Sequence, residues 1–133
     1  MLVNGARLVG DPSGAVWWPE HRALIVADLH LEKGSGLAAI GAGLLPPYDT
    51  RATLTGLEML FRRYRPTQAI SLGDAFHDRK AVGRLGEDDL GRLRRLTGAT
   101  DWVWIEGNHD PEPPEGCGGR SLDELVLGPL TFR

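Results

Sequence analysis

An α/β fold is the architecture this sequence predicts, and three observations predict it. Three short runs, Ala23-Leu24-Ile25-Val26-Ala27, Ala69-Ile70-Ser71-Leu72 and Trp102-Val103-Trp104-Ile105, are too continuously apolar for a sheet face open to water. Amphipathic segments near 49–65 and 87–97 alternate with them. Each run also ends at polar side chains: Asp28-Leu29-His30, Gly73-Asp74 and Gly107-Asn108-His109-Asp110. Ligands of open α/β sheets collect at the carboxyl ends of strands, so the three polar sets are predicted to meet at one sheet edge.

In chain order, residues 3–9 and 15–18 read as two strands joined by the turn residues Gly10-Asp11-Pro12-Ser13-Gly14. Trp17 and Trp18 are adjacent and should point to opposite faces, one into the core. The first buried strand is 23–27. Residues 31–43 are glycine-rich without the spaced pattern of a dinucleotide loop, and predict a loop with a short helix. Leu44-Leu45-Pro46-Pro47-Tyr48 is an extended connector, because proline disfavours helix in the residue before it. Asp49 or Thr50 can cap a helix that carries Leu54, Leu57, Leu60, Phe61 and Tyr64 on one face. Arg62, Arg63 and Arg65 suit its carboxyl end, and Pro66 stops it. The second strand is 68–72. A second helix over 87–97 starts with Glu87, Asp88 and Asp89, buries Leu90, Leu93 and Leu96, and places Arg92, Arg94 and Arg95 toward its end. The third strand is 101–106, a rigid loop follows at 111–116, and the tail 124–132 reads as strand, tight turn, strand.

The length of 133 residues suits one domain, 1–133, and the 41% hydrophobic and 25% charged fractions are those of an ordinary globular chain. A net charge of −3 excludes a bulk positive field for nucleic acid or anionic membranes. Nothing resembles a secretory signal or a membrane span. The single cysteine, Cys117, cannot form an internal disulfide and reads as a small loop residue. A cytoplasmic location without a membrane partner is the expectation.

Asp28 and His30 are two apart, so on a strand their side chains share a face and can reach one ion. A carboxylate with an imidazole suits Mn, Fe or Zn better than calcium. Gly73 lets the backbone turn so that the Asp74 carboxylate, able to bridge two ions, can approach. Asn108 offers a neutral oxygen to a second ion. His109 is better placed as a general acid than as a ligand, and Asp110 could orient its imidazole. His77 and Asp78 fit either a partner of a ligand or a polar helix cap, and His21 reads as a solvated surface residue. Alone, each short motif occurs by chance. Together, in this order and each at a strand end, they point to a metal site.

These motifs resemble the first three of the calcineurin-like metallophosphoesterases. The words Ala27-Asp28-Leu29-His30-Leu31-Glu32-Lys33-Gly34, Leu45-Pro46-Pro47-Tyr48-Asp49-Thr50 and Gly73-Asp74-Ala75-Phe76-His77-Asp78 are similar to the bacterial ligase-associated DNA damage response endonucleases within that family. The resemblance implies the N-terminal portion of a four-layer α/β-β/α sandwich. It implies two divalent metal ions, Mn with Fe or Zn as alternatives. Asp28, His30 and Asp74 would hold the first, Asp74 and Asn108 the second, and His109 would protonate the leaving oxygen. The implied substrate is a phosphodiester in DNA, with a DNA-repair ligase or helicase as a partner. A phosphomonoesterase using the same residues is the alternative within enzymes, and a non-catalytic fragment or interaction module is the alternative outside them. The family carries further metal histidines after its Gly-Asn-His motif, whereas the histidines here are His21, His30, His77 and His109. The expectation is therefore a chain truncated at its C-terminus, with an incomplete second sheet, weak metal binding and self-association through an uncovered apolar sheet face.

Overall fold

A computed structural model of the protein describes residues 1–27, 49–72, 86–105 and 117–133. Among them the chain runs β1 (Leu2–Val3), β2 (Ala6–Arg7), β3 (Val9–Gly10), β4 (Val16–Trp18), β5 (Ala23–Ala27), α1 (Asp49–Tyr64), β6 (Gln68–Leu72), α2 (Glu87–Ala99), β7 (Asp101–Ile105), β8 (Arg120–Leu122), β9 (Leu125–Leu127) and β10 (Leu130–Phe132). A six-stranded sheet has the order β3-β4-β5-β6-β7-β8. Its first three strands are antiparallel neighbours, and β5 to β8 are parallel. The predicted α/β class is the observed one.

Both helices pack on one face. Leu54, Leu57 and Leu60 of α1 and Leu93 and Leu96 of α2 bury against Leu24, Val26, Ala69, Trp102 and Trp104. The alternate strand residues, Ala23, Ile25, Ile70, Val103 and Ile105, face the other way, as the two-residue period of a strand requires. The adjacent tryptophans divide as predicted. Trp18 is fully buried on the second face, and Trp17 lies on the helix side, stacked 4.9 Å from the Tyr64 ring.

That second face corrects one expectation. It is covered: Ile25 is 7% exposed, and Ile70 and Val103 are fully buried. The cover is built from the β1–β2 hairpin, through Ala6 and Leu8, and the β9–β10 hairpin, through Leu130 and Phe132. Two small two-stranded sheets, the incomplete second layer that was expected, thus give more cover than the sequence reading allowed them, and among the described residues no uncovered apolar sheet face of the kind expected to drive self-association is found.

Four further departures have local causes. The strand predicted over 3–9 is broken at Asn4-Gly5, where φ is 49° and 86°. Both residues are left-handed, the geometry of a two-residue hairpin turn. Strand β8 was not anticipated. Helix α2 continues to Ala99, so Arg92, Arg94 and Arg95 sit mid-helix instead of at its carboxyl end. Arg92 bridges the helices, donating to both Glu58 carboxylate oxygens and to Thr55 Oγ1. That charged pair holds Glu58 below the usual carboxylate range and raises Arg92. Finally, His21 is half-buried with its ring 4.1 Å from Trp18, not free in solvent. Cys117 is a core residue whose thiol burial pushes up to about 11.

The turn before β4 is tied to α1 by one acid. Tyr64 donates its hydroxyl to Asp11 Oδ1 at 2.6 Å, and Ser13 donates its backbone N–H to Asp11 Oδ2 at 2.9 Å. These bonds, the tyrosine first, hold the Asp11 carboxyl at about 2 against an ordinary 3.8. A carboxyl depressed in the folded state contributes stability above its unfolded value and loses it as pH falls through its folded value. The protein should therefore lose stability from about pH 4 to about pH 2. Asp11→Asn should show a shallower fall, read as melting temperature against pH. Parallel curves for the two proteins would remove this assignment.

Candidate active site

The three strands that precede the polar motifs end together. In register, Ala27 of β5 faces Leu72 of β6, and Leu72 faces Ile105 of β7. The chain therefore leaves the sheet at one level on three adjacent parallel strands, with Asp28, Gly73 and Glu106 next in sequence. Burial explains why the strands hold that register. Ala23 to Val26, Ala69 to Ser71 and Trp102 to Ile105 are buried, and a shift of one residue would turn each strand inside out.

The helices return from the same edge, since each follows one parallel strand and precedes the next. Their first turns are adjacent: Arg51 of α1 lies 3.9 Å from Asp89 of α2. Their amino ends carry partial positive charge toward this edge, offset on α2 by Glu87, Asp88 and Asp89. Beside the end of β5 is a cleft of about 290 Å³, walled by Ser13, Ala27, Ala52, Thr53 and Leu57 among others.

The predicted site residues Asp28, His30, Asp74, Asn108, His109 and Asp110, with His77 and Asp78, lie outside the described residues. Among the described residues, no group of three or more His, Cys, Asp or Glu side chains is placed to hold a metal ion. What the described part contributes is the scaffold, namely the common edge. On its far side, a glycine pair fixes the entry to β8. Gly118 and Gly119 have φ of 77° and 76°, and a Cβ on Gly118 would overlap the Thr97 hydroxyl. Thr97 donates to the Cys117 carbonyl at 2.8 Å, and Trp104 Nε1 donates to the Gly118 carbonyl at 2.9 Å. The chain that returns from the third motif is thereby pinned to α2 and β7.

No family model matches this sequence, and no curated protein sequence does. A solved structure does match: the crystal structure of the Pseudomonas putida nuclease MPE, with a TM-score of 0.75 and 30% sequence identity. The fold is similar to that of a nuclease. The match covers 97% of this chain and 62% of the nuclease chain, so this chain spans less than two thirds of that protein's length. The likeness agrees with the α/β architecture and with the direction of the resemblance read from the motifs. No helix among the described residues is long and apolar enough to cross a membrane.

Proposed function

We propose that the protein is a metal-dependent phosphoester hydrolase of the calcineurin-like kind, acting on phosphodiester bonds in DNA and serving DNA repair beside a ligase or helicase. The observation that carries the reading is the register Ala27–Leu72–Ile105, which starts three donor-bearing motifs from one sheet edge. The nuclease likeness supports the class of substrate.

The donor set fits divalent cations. Asp28 and Asp74 bring carboxylates, His30 an imidazole and Asn108 an amide oxygen, a mixture suited to Mn, Fe or Zn. Asp28, His30 and Asp74 would hold one ion, with Asp74 and Asn108 serving a second. Such ions, when bound, place positive charge on phosphoryl oxygens and supply a nucleophile near neutral pH. His109 would give its proton to the departing oxygen, and Asp110 would keep that imidazole oriented.

The deciding experiment is titration of the chain with Mn by calorimetry, paired with hydrolysis of a generic phosphodiester and a phosphomonoester. Binding that falls at least about 10-fold in Asp74→Asn, with diester preferred over monoester, is the expected outcome. A preference for the monoester would move the assignment to a phosphatase. Unchanged Mn binding in Asp74→Asn, or hydrolysis indifferent to chelation, would remove it.

A further inference from the structure

We infer that the outward ridge of α1, with the groove at its carboxyl end, is a track for a nucleic-acid strand leading away from the candidate active site. This rests on the proposed action on DNA, and names where such a substrate would lie beyond the reacting bond. The exposed residues of α1 include Arg51, Thr55, Met59, Arg62 and Arg63. Their spacing of four, four and three or four places them in one row along the helix. No acid stands in that row itself, although Arg51 lies 3.9 Å from Asp89 and Arg63 lies 4.0 Å from Asp11, which leaves Arg62 and the neighbouring Arg65 as its freest charges. Glu58 beside it is half-buried and held by Arg92 on both carboxylate oxygens. Met59, 62% exposed, gives the middle of the row an apolar contact of the kind a sugar can use.

The row begins at the candidate edge and ends at the opposite one. Ala52 and Thr53 line the cleft that Ala27 also lines. Eleven residues after Arg51, Arg62 shares with Arg65 an open groove of about 400 Å³ floored by Phe61, Pro66 and Ala99. Neither Arg62 nor Arg65 lies within ion-pair distance of an acid among the described residues, although the charge of Arg62 is felt by Glu58 one turn before it. At a rise of about 1.5 Å per residue the helix carries the row about 16 Å from Arg51 to Arg62. Phosphates of one duplex strand recur about every 3.4 Å along the axis, and those of an extended single strand are farther apart, so the track spans at most about five of them. Guanidinium groups suit phosphate oxygens through their planar fork of donors.

Two features separate this from ordinary compensation of the helix dipole. The carboxyl end of α1 already has a cation on it, because Arg22 donates to the carbonyls of both Tyr64 and Arg65. Arg65 also occupies a left-handed position, with φ of 48°, where glycine is the favoured residue. An arginine is held there at some conformational cost while its charge has no ion partner among the described residues. The aromatic pair nearby is closed to bases. Trp17 and Tyr64 stack on each other, with Arg22 over the first ring and Arg63 over the second. The track therefore reads backbone charge, not base identity.

The test is fluorescence anisotropy of labelled single-stranded DNA with the whole chain in chelator, so that binding is measured apart from cleavage. The probes are oligonucleotides of about 20 and about three nucleotides across a salt series. Arg62→Gln with Arg65→Gln should weaken binding of the long probe and reduce the slope of log affinity against log salt by about 1.4, the share of two phosphate contacts. The paired lysine variant should keep the slope, the short probe should not respond, and Arg7→Gln, an exposed arginine on β2 away from α1, should bind the long probe as the parent does. An unchanged slope in a glutamine variant that melts like the parent would overturn the track. So would equal losses in the lysine and glutamine variants, or competition by polyglutamate or anionic vesicles as strong as that by DNA. If the chain binds the long probe as expected yet cleaves no phosphoester with metal restored, the catalytic reading fails and the track stands.

Discussion

His109→Asn is expected to slow DNA cleavage by about 10²- to 10⁴-fold, the usual contribution of a positioned general acid. The argument runs through the leaving group. A DNA phosphodiester expels an alkoxide, which needs a proton as the bond breaks, and the proposed donor is the imidazole that follows Asn108 in the third motif. A nitrophenyl ester expels a stable phenolate and needs that proton far less. The loss should therefore be severe on DNA and small on the nitrophenyl diester, with Mn binding preserved because His109 is not a proposed ligand. A general acid works only while protonated, so the parent rate on DNA should fall on the alkaline side as the imidazolium is lost. His109→Asn should lack that limb. Asp110→Asn should fall between the two, by about 10- to 100-fold, if it acts by orienting the imidazole. Equal losses on both substrates would assign His109 to the metal or to folding instead of proton transfer.

Much of this scaffold was legible in the sequence because its elements are strongly patterned. The continuous apolar runs became β5, β6 and β7 within a residue of their expected bounds, and the leucine spacings gave both helices. The failures occurred where local chemistry or tertiary contact outweighed pattern. Asn4-Gly5 is a local hairpin signal, missed because the apolar residues around it read as one strand. Strand β8 has no hydrophobic period to read: Arg120 and Ser121 are exposed and Leu122 is only half-buried. It forms because Gly118 and Gly119 turn the chain beside α2, and because Arg120 pairs with Asp101 of β7 at 3.0 Å. The cover of the second face was misjudged for a related reason. The tail hairpin was legible as strand, turn, strand, but nothing in so short a segment showed that it and Ala6–Arg7 together suffice to bury Ile25, Ile70 and Val103. The candidate site is the mirror case. Its residue types were plain in the sequence, and the structure adds what composition cannot, the common level at which their strands end. The ridge on α1 was read only as charge suited to a helix end. Its use depends on which arginines lack partners, and that is a property of the folded surface.

Trp102 should be the most sensitive core position on the helix side, and its substitutions should separate packing from hydrogen bonding. The ring is 1% exposed, 6.0 Å from Phe61 and 5.2 Å from Trp104 between ring centres, at the junction of α1 and β7. Trp102→Ala removes one of the two buried tryptophans of that cluster from a packed interior, which costs about 3–5 kcal/mol. For a chain of this size that should lower the melting temperature by at least about 10 °C. Phenylalanine is a different test. Trp102 Nε1 is buried with no hydrogen-bond partner among the described residues, and a desolvated donor of that kind costs about 1–3 kcal/mol in the parent. Trp102→Phe keeps an aromatic ring and removes the unpaired N–H, so gain and cavity should offset each other to within about 1.5 kcal/mol. Trp104 reverses the balance, since its Nε1 donates to the Gly118 carbonyl at 2.9 Å. Trp104→Phe loses that bond, leaves the carbonyl short of a donor and loosens the entry to β8. It should cost about 1 kcal/mol more than Trp102→Phe. Chemical denaturation of the three variants at constant slope decides the matter. A Trp102→Phe variant as unstable as Trp102→Ala, or less stable than Trp104→Phe, would show that the indole of Trp102 has a partner in solution and that its N–H, not its bulk, sets the core.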